Sequence, residues 1–307
     1  GKPSKTSIVT MAARAIGSHD PDPSVRNPDW LAERFLGAEE RALLPDLPLM
    51  LGVTKDYREA LKDKLKAFAV PGQIVRTRII DEQLEKAILA GATQVVILGA
   101  GFDSRAYRFR QLLRNVKVFE VDYGPTQEYK KRRVHEVLGT TPPNLVYAPI
   151  DFTREKLGAV LRKRGYRPDR KSFFIWEGVT MYIPEEAVRE TLQFIARDSA
   201  PASSVVFDYY TKSFVERDRG PSDPRASWSE PVIFGLPDGA EREFVKGTGL
   251  DLVEQFLMSG PEAVRRYVTR RDGSLVGTPG SSSAAGHYWL AVATLPVPGG
   301  GRSASKK

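Results

Sequence analysis

The sequence contains no cysteine and only three histidines among its 307 residues. The absence of cysteine excludes disulfides, zinc–thiolate sites, iron–sulfur clusters and thiol nucleophiles. His19, His135 and His287 are far apart and show none of the spacings typical of histidine metal sites, so no metal is expected. No run reaches the roughly 18 apolar residues of a membrane span, and no secretory signal is evident. We therefore expect a cytoplasmic protein.

The chain carries a net charge of +8, with 46 basic and 38 acidic residues. Five of the basic residues lie near the two ends: Lys2, Lys5, Arg302, Lys306 and Lys307. Subtracting five from eight leaves about +3 for the rest of the chain. The basic runs 130–133 and 162–164 lack the interleaved aromatic residues on which single-stranded nucleic acids stack, so we interpret them as solvated helix faces. Neither nucleic acid nor a membrane is expected as a partner.

The composition, 41% hydrophobic and 27% charged, is that of an ordinary globular protein. Residues 1–90 show short helical patterns interrupted by prolines, of which Pro71 is the last, and are predicted to form an N-terminal helical cap. The pattern changes at Gln94–Leu98, a continuous apolar run typical of a parallel strand covered on both faces. Residues 91–297 are predicted to form the core domain and 298–307 a disordered tail.

Strand and helix patterns alternate from residue 91 onward. Further strands are predicted at 116–121, 144–150, 172–176, 204–209, 250–256 and 287–294, with helices at Pro184 and over 261–269. This alternation predicts an α/β fold with a mostly parallel sheet. Residues 211–248 interrupt it with many prolines and glycines, and we interpret them as an irregular insertion that serves as a lid.

Two glycines follow the first predicted strand, in the order Gly99-Ala100-Gly101. Gly99 permits a tight turn, and Gly101 lets a ligand lie against the backbone. Ser104 stands where a dinucleotide-binding fingerprint has its third glycine, which disfavours a nicotinamide or flavin cofactor. Asp122 ends the second strand, where a carboxylate can accept hydrogen bonds from both hydroxyls of a ribose. The alternative is that Asp122 caps the turn after it.

Acidic residues also end the third and fourth predicted strands. Asp151 and Phe152 offer an acceptor and an apolar surface to an adenine ring, although Asp151 is equally well placed to cap a helix starting at Thr153. Glu177 follows the fourth strand and suits the ammonium group of an amino-acid ligand; alternatively it pairs with one of the many arginines. Together these positions predict a pocket for a nucleoside joined to an amino acid, which is the chemistry of S-adenosylmethionine.

Four ordered motifs carry a resemblance to a known family. They are Leu98-Gly99-Ala100-Gly101-Phe102-Asp103-Ser104-Arg105, Phe119-Glu120-Val121-Asp122, Ile150-Asp151-Phe152 and Trp176-Glu177-Gly178-Val179-Thr180-Met181-Tyr182. They resemble those of the leucine carboxyl methyltransferase-like family, and in particular its bacterial branch of S-adenosylmethionine-dependent O-methyltransferases, which includes polyketide O-methyltransferases. The resemblance extends over roughly residues 8–295 and implies a Rossmann-like class I methyltransferase fold.

The resemblance also implies roles for individual residues. It assigns the cofactor to the loop of Gly99 and Gly101 and to the acids named above, and it adds Arg76 as the residue that holds the cofactor's carboxylate. Two departures are visible. The pair after the third strand is more often Asp-Leu than Asp-Phe in the family, and a lysine of leucine carboxyl methyltransferases has no clear counterpart around Met11 to Arg14. These departures argue against a leucine-peptide acceptor more than against methyl transfer.

The methyl acceptor is expected to be a small molecule with a carboxylate or an acidic hydroxyl, and secondary metabolism is a plausible setting. A carboxylate is ionised at neutral pH and needs no general base, which agrees with the scarcity of histidine. Tyr182, Tyr209 and Tyr210, near the ends of the fourth and fifth strands, are candidates to contact the acceptor, unless they only pack in the core. The alternatives are transfer to a protein C-terminus or to RNA, or cofactor binding without catalysis.

Overall fold

The computed structural model describes residues 5–42, 64–152, 154–217, 230–277, 279 and 284–298. Seven strands in these ranges are β1 Gln94–Leu98, β2 Lys117–Asp122, β3 Leu145–Pro149, β4 Ser172–Trp176, β5 Ser204–Tyr210, β6 Asp251–Leu257 and β7 Tyr288–Thr294. The α-helices are α1 Lys5–Gly17, α2 Leu31–Phe35, α3 Ala38–Ala42, α4 Lys64–Leu89, α5 Arg105–Arg108, α6 Gly124–Leu138, α7 Leu157–Lys163, α8 Glu185–Arg197, α9 Lys212–Glu216, α10 Glu241–Lys246 and α11 Pro261–Ala263.

The strands form one sheet in the order β3-β2-β1-β4-β5-β7-β6. Strands β1 to β5 are parallel, and β7 runs antiparallel to both β5 and β6. The chain proceeds outward from β1 to β3 on one side and then from β4 to β5 on the other. Ligands of such sheets bind at the carboxyl ends of the strands where the order reverses, which here lies between β1 and β4. The predicted Rossmann-like, mostly parallel sheet is confirmed.

Every residue of β1 is buried, because helices cover both faces of the sheet. Val95 and Ile97 join a core formed with α1, α2 and α4, whereas Val96 and Leu98 join a second core formed with α7, α8 and α10. The alternation of the two sets follows from the two-residue period of a strand. The N-terminal helices therefore lie on the face of the sheet that carries Val95 and Ile97.

The expectation that Pro71 ends a helical segment is wrong, because α4 runs through it. Proline cannot donate the helical backbone hydrogen bond, and its cost in a helix interior is about 3 kcal/mol. Val70, Ile74 and Val75 are fully buried around this point, and their burial contributes about 1.5–3 kcal/mol each. Tertiary packing thus outweighs the local penalty.

Other boundaries differ slightly from the sequence-based expectation. The segment 261–269 divides into α11 and a π-helical turn, Val264–Val268. The expected irregular insertion 211–248 contains two short helices, α9 and α10, in its described part. Its role as a lid, and the boundaries assigned to cap and core, stay predictions. Residues 299–307 of the predicted tail lie outside the described residues.

One buried ion pair joins the N-terminal region to the segment between β6 and β7. Asp20 is fully buried, and its Oδ2 lies 2.7 Å from Nη2 of Arg270, whose Nε also donates to Asp20 at 3.1 Å. Arg270 further donates to the carbonyl oxygen of Leu275 at 2.8 Å. Removing one partner of a buried pair leaves the other charge uncompensated.

We therefore expect Asp20→Ala to lower the free energy of unfolding by about 3–5 kcal/mol, measured by urea denaturation. Asp169→Ala is the matched control, because Asp169 pairs with Arg167 in an exposed ion pair at 2.9 Å and should contribute little. A loss for Asp20→Ala no larger than that of the control would contradict the structural importance of this pair.

Candidate functional site

The turn after β1 depends on two glycines with positive φ, +64° at Gly99 and +40° at Gly101. A Cβ on Gly99 would lie 2.6 Å from Cγ2 of Val179, so the turn after β4 closes directly against this glycine. A Cβ on Gly101 would meet only the carbonyl oxygen of Gly99, at 3.8 Å. Gly99 is therefore required by close packing and by conformation, while the surface at Gly101 is open to a ligand.

Asp122, at the end of β2, is bound to this glycine turn. Its Oδ2 accepts a short hydrogen bond from the backbone N–H of Gly101, and its Oδ1 accepts one from the N–H of Tyr123 at 2.6 Å. Burial raises the pKa of Asp122, and the two backbone hydrogen bonds oppose that rise. Each carboxylate oxygen has a second lone pair, so Asp122 can still accept hydrogen bonds from ribose hydroxyls.

Asp151 and Phe152 follow β3, the strand beside β2. Phe152 is 59% exposed, and Asp151 is half-buried. The next described helix, α7, begins at Leu157 with Lys156 at its cap position, so Asp151 does not cap that helix. Thr153 lies outside the described residues. Oδ2 of Asp151 lies 3.6 Å from Nε of Arg154, and the exposed ring of Phe152 is open to a ligand at this edge of the sheet.

Glu177 sits at the centre of a cluster of arginines. Its Oε1 lies 2.8 Å from Nε of Arg76, and its Oε2 lies 2.7 Å from Nη1 of Arg105. Nη1 of Arg14, from α1, is 4.0 Å from Oε1. Burial alone would raise the pKa of Glu177, but Arg105, Arg76 and Arg14 together hold it well below its usual range. Glu177 is therefore a carboxylate.

The cluster extends into a buried network that joins α1, α4 and the glycine turn. Asp81 of α4 binds Nε of Arg105 at 2.7 Å and Nη1 of Arg108 at 2.8 Å. Asp29 binds Nε of Arg14 at 3.0 Å and accepts from Ser104 at 2.6 Å. The four arginines of this network are Arg14, Arg76, Arg105 and Arg108, and its five acids are Asp29, Asp81, Asp103, Glu177 and Asp208.

Three buried polar atoms of this cluster make no hydrogen bond: Nε of Arg14, Nε of Arg76 and Oε1 of Glu177. They lie within ion-pair distance of neighbours, but the N–H bonds do not point at the oxygens. Buried polar groups are nearly always hydrogen-bonded, so these atoms indicate a missing partner. Two donors next to one acceptor suit the carboxylate and the ammonium group of an amino acid.

The three candidate tyrosines do not lie together. Tyr182 and Tyr210 are partly exposed, and Tyr210 stacks at 4.7 Å on Tyr288. Tyr209 is fully buried in the core on the opposite face, where its hydroxyl accepts from Gln255 at 2.8 Å. Successive side chains of a strand point to opposite faces, so Tyr209 cannot share a site with Tyr210. The placement of Tyr209 does not support contact with an acceptor.

Several residues of the site were not identified from the sequence. Arg14, Asp81 and Arg105 are charged residues on helices or turns, where charges normally face solvent. Asp208 could have been identified as a candidate site residue from the sequence, because it interrupts the apolar run of β5. His287 lies at the same edge of the sheet; its Nδ1 is 2.7 Å from Oγ1 of Thr211.

No three His, Asp or Glu side chains in the described ranges are arranged to hold a metal ion. No helix in the part of the chain that the structure describes is both long and apolar enough to cross a membrane.

These features define a Rossmann-like α/β fold with a buried charged cluster at the carboxyl edge of its sheet. Residues 7–196 match the sequence pattern of the leucine carboxyl methyltransferase family. The chain belongs to this family of S-adenosylmethionine-dependent methyltransferases.

Relatives and a solved structure agree with this assignment. A Bacillus subtilis (strain 168) protein with the provisional name S-adenosyl-L-methionine-dependent methyltransferase YktD is 28% identical over 216 residues, 67% of this chain and 70% of that protein. A Mycobacteroides abscessus protein with the same provisional description is 32% identical over 209 residues, 66% of this chain and 63% of that protein. The crystal structure of a protein from Thermobifida fusca YX, provisionally named a methyltransferase, has a TM-score of 0.54 and 15% identity over 96% of both chains, which shows a common fold.

The environment of Gly99 leads to a specific prediction. Gly99→Ala should destabilise the protein by clearly more than Gly139→Ala, measured by urea denaturation. Gly139 also has a positive φ, +73°, but a Cβ there has nothing within 4 Å. The control should show only the backbone cost of about 1–2 kcal/mol, whereas Gly99→Ala adds the clash with Val179. Equal losses of unfolding free energy in the two variants would show that the contact between the two turns is not tight.

Proposed function

We propose that the buried site at the carboxyl edge of β1, β2 and β4 holds S-adenosylmethionine in a defined orientation. Asp122 would accept the ribose hydroxyls, and Asp151 with Phe152 would contact the adenine. Arg76 and Arg14 would bind the carboxylate of the amino-acid end, and Glu177 its ammonium group. The observation that carries this proposal is that three buried atoms, Nε of Arg14, Nε of Arg76 and Oε1 of Glu177, lie in ion pairs but make no well-directed hydrogen bond.

When bound, the cofactor supplies a methyl group on a positively charged sulfur that leaves as a neutral thioether. The chain's contribution to such an in-line transfer is alignment of the partners and exclusion of water. In this proposal the glycine turn and Asp122 hold the nucleoside end of the cofactor. The arginine cluster holds the amino-acid end, beside the turns that follow β1 and β4. Holding both ends restricts where the sulfur can lie, so the acceptor has to approach from one direction.

We further propose that the acceptor is a small-molecule carboxylate or acidic hydroxyl, in keeping with the resemblance to polyketide O-methyltransferases. Tyr182 lies in the turn after β4 and Tyr210 ends β5, where it stacks on Tyr288, whose hydroxyl accepts from Arg76. Burial raises the pKa of Tyr182 to about 12, with a further contribution from Glu230. The hydroxyl of Tyr182 is thus protonated at neutral pH and donates hydrogen bonds, which suits an anionic oxygen acceptor.

A less acidic hydroxyl is the second candidate for the methyl acceptor. The position of His287 favours it. Its ring stacks at 5.5 Å on Phe214, which in turn stacks at 4.8 Å on Tyr210. An imidazole at this position is able to accept a proton from an alcohol or phenol. His287 is therefore the candidate general base for this second acceptor.

The acceptor class is tested by following transfer of labelled methyl groups from S-adenosylmethionine to carboxylic acids, phenols, peptides with a free C-terminus, and RNA. We expect label in small carboxylic acids or acidic phenols. Transfer to RNA would be recognised by a steep loss of activity with rising salt, because phosphate contacts release counterions. Label confined to peptides or RNA would contradict the proposed acceptor.

Asp122→Ala should weaken S-adenosylmethionine binding at least tenfold, because hydrogen bonds to a charged group contribute about 1.5–3 kcal/mol. Isothermal titration calorimetry measures this directly, and circular dichroism checks that the fold is retained. Asp169→Ala removes an exposed carboxylate far from the site and serves as the control. Unchanged affinity in a folded Asp122→Ala protein would remove Asp122 from the ribose site.

His287→Gln separates the two acceptor candidates. For a carboxylate acceptor, kcat at pH 8 should stay within about threefold of wild type, because no proton has to be removed. For a hydroxyl acceptor, kcat should fall by about 10²–10⁴, because the base that removes the proton is lost. The pH profiles of kcat for the wild type and the variant decide between these outcomes.

A further inference from the structure

Asp208 is a buried carboxylate that the proposed contacts with the cofactor do not use. It lies within β5, between Phe207 and Tyr209, and its side chain is fully buried. Removing an ion from water costs several kcal/mol, and well-packed apolar residues often replace buried ion pairs without loss of stability. Stability alone thus gives little reason for a carboxylate at this point of the sheet.

The partners of Asp208 come from three separate elements. Its Oδ1 accepts a hydrogen bond from the backbone N–H of Gly178, in the turn after β4, at 2.7 Å. Its Oδ2 accepts from Nη1 of Arg76, in α4, at 3.2 Å, and from the hydroxyl of Tyr288, in β7. The Tyr288 hydroxyl in turn accepts from Nη1 of Arg76 at 2.7 Å. Asp208 therefore connects α4, the β4 turn and β7.

These contacts determine how the guanidinium of Arg76 is oriented. Nη1 is held by Asp208 and Tyr288, and Nη2 donates to Oε1 of Gln73 at 3.0 Å. With both terminal nitrogens held, Nε lies 2.8 Å from Oε1 of Glu177, without a well-directed hydrogen bond to it. The planar guanidinium has no remaining freedom to turn.

The same carboxylate also holds the opposite wall of the site. Gly178 follows Glu177 directly and has a φ of +69°. A Cβ on Gly178 would lie 3.8 Å from Nη1 of Arg76, so this turn packs against the arginine. The hydrogen bond from the Gly178 N–H to Asp208 fixes the turn in that position.

We propose that Asp208, assisted by Tyr288, is a positioning residue that sets Arg76 and the Glu177–Gly178 turn at the spacing required by the amino-acid end of the cofactor. This inference rests on the proposed function, because it assumes that Arg76 and Glu177 bind that end. In this arrangement Asp208 does not itself contact the ligand, since its side chain is fully buried and its Oδ2 already accepts from both Arg76 and Tyr288. Its effect on binding passes through Arg76.

Two ligands that differ only at the amino-acid end isolate this effect. S-adenosylhomocysteine carries the amino acid, whereas 5′-methylthioadenosine has the same nucleoside and a thioether without it. Asp208→Asn keeps the size of the side chain but removes its charge and one of its acceptor atoms. Tyr288→Phe removes only the hydroxyl that supports Arg76. Asp198→Asn is the matched control, because Asp198 is also buried and pairs with Arg162, on the other face of the sheet.

We expect Asp208→Asn to raise the Kd of S-adenosylhomocysteine about tenfold or more while changing that of 5′-methylthioadenosine less than about twofold, measured by calorimetry. Tyr288→Phe should show the same selectivity with a loss of about threefold. Asp198→Asn should leave both Kd values near wild type. If Asp208 had a purely structural role, its replacement would raise the Kd values of both ligands by similar factors.

Equal losses for the two ligands, or no loss for either, would overturn the positioning role. If Asp208→Asn does not fold, the ratio of the two Kd values in Tyr288→Phe decides, and an unchanged ratio overturns the proposal. Failure of the wild type to bind S-adenosylhomocysteine would overturn the proposed function and this inference together. Binding by the wild type without selective loss in the variants overturns this inference alone.

Discussion

The buried network of four arginines and five carboxylates is the constraint on which the site depends. Each of these ions loses hydration on burial, at a cost of several kcal/mol, and only close pairing with opposite charges offsets that cost. The side chains therefore have little freedom to move independently. Because α1, α4 and the turns after β1 and β4 all contribute charges, the N-terminal helices and the carboxyl edge of the sheet are held in one arrangement. The proposed site for the amino-acid end of the cofactor lies inside this network.

Hydrogen bonding within the network is incomplete around Glu177 and its arginine neighbours. Most of its hydrogen bonds are well directed, yet Nε of Arg14, Nε of Arg76 and Oε1 of Glu177 have none. An amino-acid zwitterion supplies an acceptor for the two donors and a donor for the acceptor. Such a ligand would give all three atoms hydrogen-bond partners, which is why we propose that the network binds one. Binding should then also tighten the link between α1 and the sheet.

The sequence identified most of the sheet but little of the charged network. Strands such as β1 were predicted almost to the residue, because a parallel strand covered on both faces is a continuous apolar run. The helix through Pro71 was missed, since its stability comes from packing that local propensity does not contain. Arg14 and Asp81 were missed because nothing in the local pattern distinguishes a buried charge from an exposed one. Asp208, inside an apolar strand, was the exception that the pattern could have revealed.

The most direct test of this account is a crystal structure of the protein with S-adenosylhomocysteine. The account predicts that the ligand's carboxylate accepts hydrogen bonds from Nε of Arg76 or Arg14 and that its ammonium group donates to Oε1 of Glu177. The ribose hydroxyls are predicted to donate to Asp122. A complex in which the amino-acid end points into solvent, with these three atoms still without well-directed hydrogen bonds, would contradict the central claim.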